Sequence, residues 1–283
     1  MTAILGGIVA SVCFAVSSLC ASAATRAVGP AVTVAGVMSF GLLLVVPPTI
    51  VLGDVNQLSA ATIGLMVVIG ATNVIGLRIE YVALRRGNVG VVVPIVSTDG
   101  AIAAVIAVLA GLRLRADTAV LLAVVSAGVM LAAASPDPPD AVDASPGLRS
   151  GLLALIPALL FGVNLFVTER VGAEVALVWV LLPARLLGTA AVAIPLAVRG
   201  VPRPRGGVLA LLALAGAAEV LGIVSYTVGA RHELAVAAVL ASQFAALTTL
   251  GAYFVFGERL NGSQVAGLVI VALGVGLLAA GAG

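Results

Sequence analysis

Apolar residues in this chain run in uninterrupted blocks, separated by short clusters of Gly, Arg, Asp and Asn. Ten blocks of about 16 to 24 residues are each long enough to cross a hydrocarbon core about 30 Å thick as a helix. They fall at 3–24, 31–52, 60–82, 89–110 and 117–134, then at 150–168, 175–198, 207–230, 234–256 and 262–282. The fifth is the weakest, being short and starting beside Asp117. The breaks hold turn residues and most of the charge: Gly53-Asp54, Arg85-Arg86-Gly87-Asn88, Arg199 to Gly207, and Arg231-His232-Glu233. Barrel strands would alternate apolar and polar residues in steps of two, and these blocks do not. The pattern predicts an all-α polytopic membrane protein of about ten transmembrane helices.

One long polar stretch divides the chain. Ser135 to Ser150 carries Asp137, Asp140 and Asp143 among Pro136, Pro138, Pro139 and Pro146, which predicts an exposed, protease-sensitive linker. The layout is a first repeat over 1–134, a linker over 135–149 and a second repeat over 150–283. Five spans is an odd number, so the second half enters the membrane from the opposite side. An inverted five-plus-five repeat follows, the usual build of a secondary transporter. Sliding the sequence by 145 residues supports it: Tyr81 falls on Tyr226, Arg86 on Arg231, Ser97 on Ser242 and Ala101 on Ala246. One inserted residue then brings Gly111, Arg113 and Leu114 onto Gly257, Arg259 and Leu260.

Composition narrows the function by exclusion. With 62% hydrophobic and 9% charged residues, and a mean hydropathy of +1.26, the chain lacks the polar surface of a soluble domain. A net charge of +2 is too small to mark a nucleic-acid partner. All 14 basic residues are arginine, which reads as GC-rich coding. Without lysine there is neither a P-loop lysine nor a Schiff base, so energy would come from a gradient. His232 is the only histidine, and it sits in a charged turn with no triad partner or metal-ligand cluster. Cys13 and Cys20 are too few for a scaffold and read as small buried thiols. No enzymatic activity, metal or cofactor is expected. Ala21-Ser22-Ala23 resembles a cleavage site, but the apolar run before it is long and lacks a basic flank, so it reads as an uncleaved first span.

The informative residues are ionisable groups at mid-membrane depth, each expensive unless paired or wetted. Arg185 and Glu219 are central in the seventh and eighth spans and are expected to form an ion pair. Asp99 is central in the fourth, while Arg78 and Glu80 lie toward the end of the third. Asp99 is a candidate cavity and proton-binding group, and a close Arg78 would reduce it to structural glue. Helical spacing gathers stripes such as Ser11-Ala15-Ser18-Ser22, Gly70-Asn73-Gly76-Glu80, Pro157-Phe161-Asn164-Thr168 and Ala215-Glu219-Gly222-Tyr226. For Ser and Thr, hydrogen bonds between helices are the favoured reading. Pro94 to Gly100 places a helix breaker, three polar residues and a glycine within one and a half turns, giving either an interrupted helix or a simple kink. The cavity candidates are Asp99, Ser97, Thr98, Asn73, Asn164, Glu219, Tyr226 and Gln243. Gly267, Gly274 and Gly281 form a flat face for the fifth span or a second copy of the chain.

Residues 226–278 resemble the signature half of the EamA domain of the drug/metabolite transporter superfamily. The resemblance rests on the small-residue span 234–256, Gly257-Glu258-Arg259-Leu260, Gln264, Gly267 and Gly274-Val275. The first half is similar through Val91-Val92-Val93-Pro94-Ile95 and Gly128-Val129-Met130-Leu131, although Gly111-Leu112-Arg113-Leu114 lacks the glutamate of Glu258. The resemblance implies a secondary active transporter, expected as an exporter, working by alternating access on a small polar or amphipathic metabolite. It also implies a cavity lined by spans one, three, four, six, eight and nine. The alternatives are a multidrug or cation exporter, against which 4% aromatic residues argues, and a non-transporting embedded enzyme or assembly protein. Expected partners are the substrate, the lipid bilayer, a coupling proton and a second copy of the chain. The expected location is the cell (plasma or inner) membrane of a bacterium. The resemblance implies cytoplasmic termini, whereas eight of the loop arginines, against four, would place the amino terminus outside.

Overall fold

The computed structural model describes residues 1–86, 89–111, 146–202 and 204–257, with individual positions between 120 and 131 and between 262 and 274. The predicted fifth and tenth spans therefore lie largely outside the described residues. Among the described residues the fold is helical, without strands, and eight helices are long and apolar enough to cross a membrane. In chain order they are α1 (Thr2–Val28), α2 (Pro30–Leu52), α3 (Ala60–Arg86), the pair α4 (Val89–Val96) and α5 (Asp99–Leu109), then α6 (Pro146–Glu174). The seventh predicted span is α7 (Leu177–Gly188), a π turn (Thr189–Ala193) and α8 (Ile194–Val198). After it come α9 (Gly207–Ala230) and the pair α10 (Leu234–Ala241) and α11 (Phe244–Phe256). The π turn leads into Pro195, which has no N–H to continue the regular ladder.

Polarity is arranged inside out. Ile50, Leu109, Val198 and Phe254 stand exposed on the perimeter, where lipid covers them. Asn73, Glu80, Asp99, Arg185 and Glu219 are buried in the interior. A water-soluble fold does the reverse. The chain is a polytopic membrane protein.

The two halves interleave. α1 packs along α9, α2 along α7, and α3 and α5 along α6, so each main contact joins the first half to the second. Small residues set these distances. A Cβ on Gly6 would lie 2.6 Å from the carbonyl oxygen of Ser225 and 2.8 Å from the Cα of Gly229, so α1 and α9 cross nearly backbone to backbone.

Helices α4–α5 and α10–α11 are each one span broken at mid-length. The breaks fall at Ser97-Thr98 and Ser242-Gln243, 145 residues apart, in the register of the sequence repeat. Their hydrogen bonds correspond. The Ser97 hydroxyl donates to the carbonyl of Pro94 at 2.9 Å, and that of Ser242 to the carbonyl of Val239 at 2.8 Å. The backbone N–H of Thr98 donates to Ile95, and that of Gln243 to Leu240, both at 3.2 Å. Val239 stands where the first half has Pro94, yet the second break forms. Proline is therefore not the shared cause. Serine bonding back to the carbonyl three residues earlier, which tightens the turn, is common to both.

Two expectations change here. The helical residues after the linker begin at Pro146, four residues before the predicted span, because proline is well placed in a first helical turn. The hydroxyls mostly bond within their own helices: Thr33 to Gly29, Thr49 to Val45, Thr72 to Val68 and Thr227 to Ile223. Cross-helix bonds come from longer side chains. The Asn164 amide donates to the Ile69 carbonyl at 2.8 Å and the Thr72 hydroxyl at 2.9 Å, and the Tyr226 hydroxyl donates to the Leu165 carbonyl at 2.8 Å. The glycine step at Gly267 is met within the chain: a Cβ on Gly128 would approach the Gly267 carbonyl oxygen to 3.2 Å.

Candidate functional site

The interior is organised around one arginine. Arg185 of α7 is 0% exposed, and its Nη1 lies 3.0 Å from Oε1 of Glu219 on α9. The same nitrogen donates to Sδ of Met38 at 3.4 Å. The same Glu219 oxygen accepts from the Asn73 amide at 3.4 Å. The guanidinium reaches this position because α2 offers Gly41, where a Cβ would sit 2.7 Å from the arginine Cδ. A charge this deep is tolerable only when paired, and Glu219 supplies the pairing. The cluster is incompletely bonded. Glu219 Oε2, Asn73 Oδ1, and Nε and Nη2 of Arg185 are buried with no protein partner.

Beside this cluster lies a cavity of about 90 Å³. Its walls come from α1 (Phe14, Ser17, Ser18), α3 (Asn73, Leu77, Glu80, Tyr81), α5 (Asp99), α6 (Phe161, Asn164, Leu165), α9 (Glu219, Ile223) and α11 (Phe244). These are spans one, three, four, six, eight and nine, the set that the family resemblance implies. Phe14, Asn73, Asn164 and Glu219 each stand near the middle of a spanning helix, so the cavity lies about halfway through the bundle. Glu80, Asp99 and Glu219 are 4%, 7% and 6% exposed, so the acids of the wall are sheltered from bulk solvent.

The wall carries both acids and aromatic rings. Glu80 lies within Coulombic reach of both Glu219 and Asp99. One Asp99 oxygen accepts from the Gly100 backbone N–H at 2.7 Å, in the first turn of α5, where the helix dipole favours a carboxylate. Phe14 and Phe244 meet edge to face with centroids 6.2 Å apart. Phe244 is the repeat counterpart of Asp99, so the two breaks present an acid and an aromatic ring to one chamber.

Of the eight cavity candidates, the structure brings Asp99, Asn73, Asn164 and Glu219 to the wall. Ser97, Thr98, Tyr226 and Gln243 are elsewhere: the three hydroxyls and the Gln243 amide nitrogen bond to backbone carbonyls, and Gln243 Oε1 is buried without a partner. Ser97 and Thr98 take the carbonyls of Pro94 and Ile95, and the Gln243 amide takes that of Val239 at 2.8 Å, so the backbone freed at the breaks is already capped. Arg78 is exposed on α3, away from the buried face that carries Asn73 and Glu80, and it is no partner for Asp99. Glu80, Phe14, Tyr81, Phe161 and Phe244 line the cavity as well, outside the set of candidates expected from the sequence. Spacing held part of the signal: Glu80 follows Asn73 by seven on one stripe, and Phe161 precedes Asn164 by three on another. The low aromatic content pointed away from an aromatic pocket, yet three of the seven Phe and one of the three Tyr surround this cavity.

This architecture of paired, centrally broken helices around an interior cavity with buried acids is that of a multi-pass membrane protein. A solved crystal structure superposes with a TM-score of 0.75 at 17% identity, covering 98% of this chain and 96% of that one, so the fold is shared across the full length. No curated protein matches the sequence. Residues 148–280 match the EamA-like transporter family, so the second half of the chain carries an EamA domain of the drug/metabolite transporter superfamily.

Proposed function

We propose that this protein is a secondary active transporter that moves a small polar or amphipathic metabolite across the membrane by alternating access. The observation that carries the reading is the cavity halfway through the bundle, walled by both halves, in which Glu80 and Asp99 are buried with no cation beside them among the described residues. Irregular backbone and buried charge at this depth are expensive, and transporters retain them where a solute must be held. The matching breaks 145 residues apart support a division into inverted repeats, 1–134 and 150–283, joined by the linker 135–149. Rocking one against the other about the α1–α9 crossing would open the chamber to each side in turn. Asp99 and Glu80 are the groups whose protonation would couple transport to a proton gradient, and the reading assigns export as the direction.

The test is flux of a metabolite panel in proteoliposomes, with and without an imposed proton gradient and with protein in both orientations. Gradient-stimulated flux that Asp99→Asn abolishes or frees from its pH dependence is the expected result. Protein that folds, binds members of the panel and moves none of them would defeat the proposal.

A further inference from the structure

We propose that the cavity selects an organic ammonium ion, held by Glu80, Asp99 and the unpartnered oxygen of Glu219 against the rings of Phe14 and Phe244. The inference rests on the transport reading for the existence of a cargo and goes beyond it in naming the cargo's charge.

Three independent features converge. The first is charge. Among the described residues the wall holds three carboxyl groups and no Arg, Lys or His, since the Arg185 guanidinium contacts Glu219 from behind the wall. One guanidinium offsets one of the three acids, which leaves the chamber short of positive charge whenever they are ionised. An anionic solute would meet only repulsion here, and a neutral one would leave the imbalance in place.

The second is hydrogen bonding. Glu219 Oε2 and Asn73 Oδ1 are acceptors on cavity-lining residues that are more than nine-tenths buried, and neither has a protein partner. Buried acceptors left empty are costly, and an ammonium group brings N–H donors to such acceptors. The Asn73 and Asn164 amides are committed to Glu219, Ile69 and Thr72, which leaves the hydroxyls of Ser17, Ser18 and Tyr81, able to donate or to accept, as the remaining side-chain donors of the described wall.

The third is the aromatic wall. Ring faces attract cations within about 6 Å, most strongly where the cation has shed its water. The volume of about 90 Å³ has room for several waters, and so for an ammonium head and a few carbons.

The test compares three probes of one size and different charge: n-propylammonium, n-propanol and propionate. Binding to the purified protein in detergent is read by calorimetry and by the rise in apparent melting temperature. Propylammonium is expected to bind most tightly and propionate not at all. Glu80→Gln and Asp99→Asn should each weaken propylammonium by about ten- to a hundredfold, as expected for a lost charged hydrogen bond, while Arg78→Gln on the outer face of α3 leaves it unchanged. The wild-type comparison needs no variant, so a misfolded mutant cannot hide the answer. Propanol binding as well as propylammonium, or propionate binding better, overturns the inference. Propylammonium bound but not moved in proteoliposomes would defeat transport and leave the ammonium site standing. Flux confined to anions would defeat the site and leave transport standing.

Discussion

Removing either member of the Arg185–Glu219 pair should destabilise the protein far more than removing both. Arg185 is fully buried, and its charged contact is one oxygen at 3.0 Å. At an effective dielectric constant near 20, that separation corresponds to about 5–6 kcal/mol of attraction, set against the loss of hydration on both groups. Glu219→Gln keeps the shape and leaves the guanidinium with Met38 Sδ and an amide. Arg185→Met leaves a buried carboxylate with one neutral amide donor. Stranding a charge in this way costs about 3–5 kcal/mol. In a chain of this size, that corresponds to an apparent melting temperature lower by about 6–20 °C. The double variant Arg185→Met/Glu219→Gln strands no charge and should recover most of the loss. The assay is thermal unfolding in detergent, followed by the fluorescence of Trp179, the chain's one tryptophan, which is buried between α7 and its neighbours. Arg78→Gln is the control and should shift stability by no more than about 0.5 kcal/mol. Single variants as stable as the control, or a double variant as unstable as the sum of the singles, would refute the reasoning.

Three further outcomes are expected. Asp99→Asn should express and elute as wild type, since Asp99 bonds only the Gly100 N–H, while transport is lost or loses its pH dependence; aggregation on size exclusion would make Asp99 a structural residue. Pro94→Ala should keep the break at Ser97-Thr98 and retain flux, because the second half breaks without a proline, whereas Ser97→Ala should alter flux more. Gly100→Ala should lower stability by about 1–3 kcal/mol, as its Cβ would lie 2.6 Å from the Ala238 carbonyl oxygen and backbone cannot step aside. Gly64→Ala, with open space around it, should be neutral or slightly stabilising in a melting experiment.

The all-helical membrane class, most span positions and the membership of the second half in its family were legible in the sequence, because each follows from local quantities. A run of apolar residues long enough to cross the bilayer must close its backbone hydrogen bonds internally, whatever its neighbours do. The pairing of Arg185 with Glu219 is also written there, since two charges at equal depth on consecutive helices have few other ways to survive. What the sequence left open was rotation: which face of each helix turns inward, and what stands opposite it. Glu80 joined the chamber and Arg78 left it although they are two residues apart, because α3 turns its Asn73 face toward α6 and α9. Ser97 and the Gln243 amide nitrogen bond carbonyls of their own helices and do not line the cavity, because a donor beside a freed carbonyl bonds to it before it can reach across a cavity. The clustering of Phe14, Tyr81, Phe161 and Phe244 cannot be read from composition. Those rings come from α1, α3, α6 and α11, and only the interleaving of the two halves brings them around one buried set of acids.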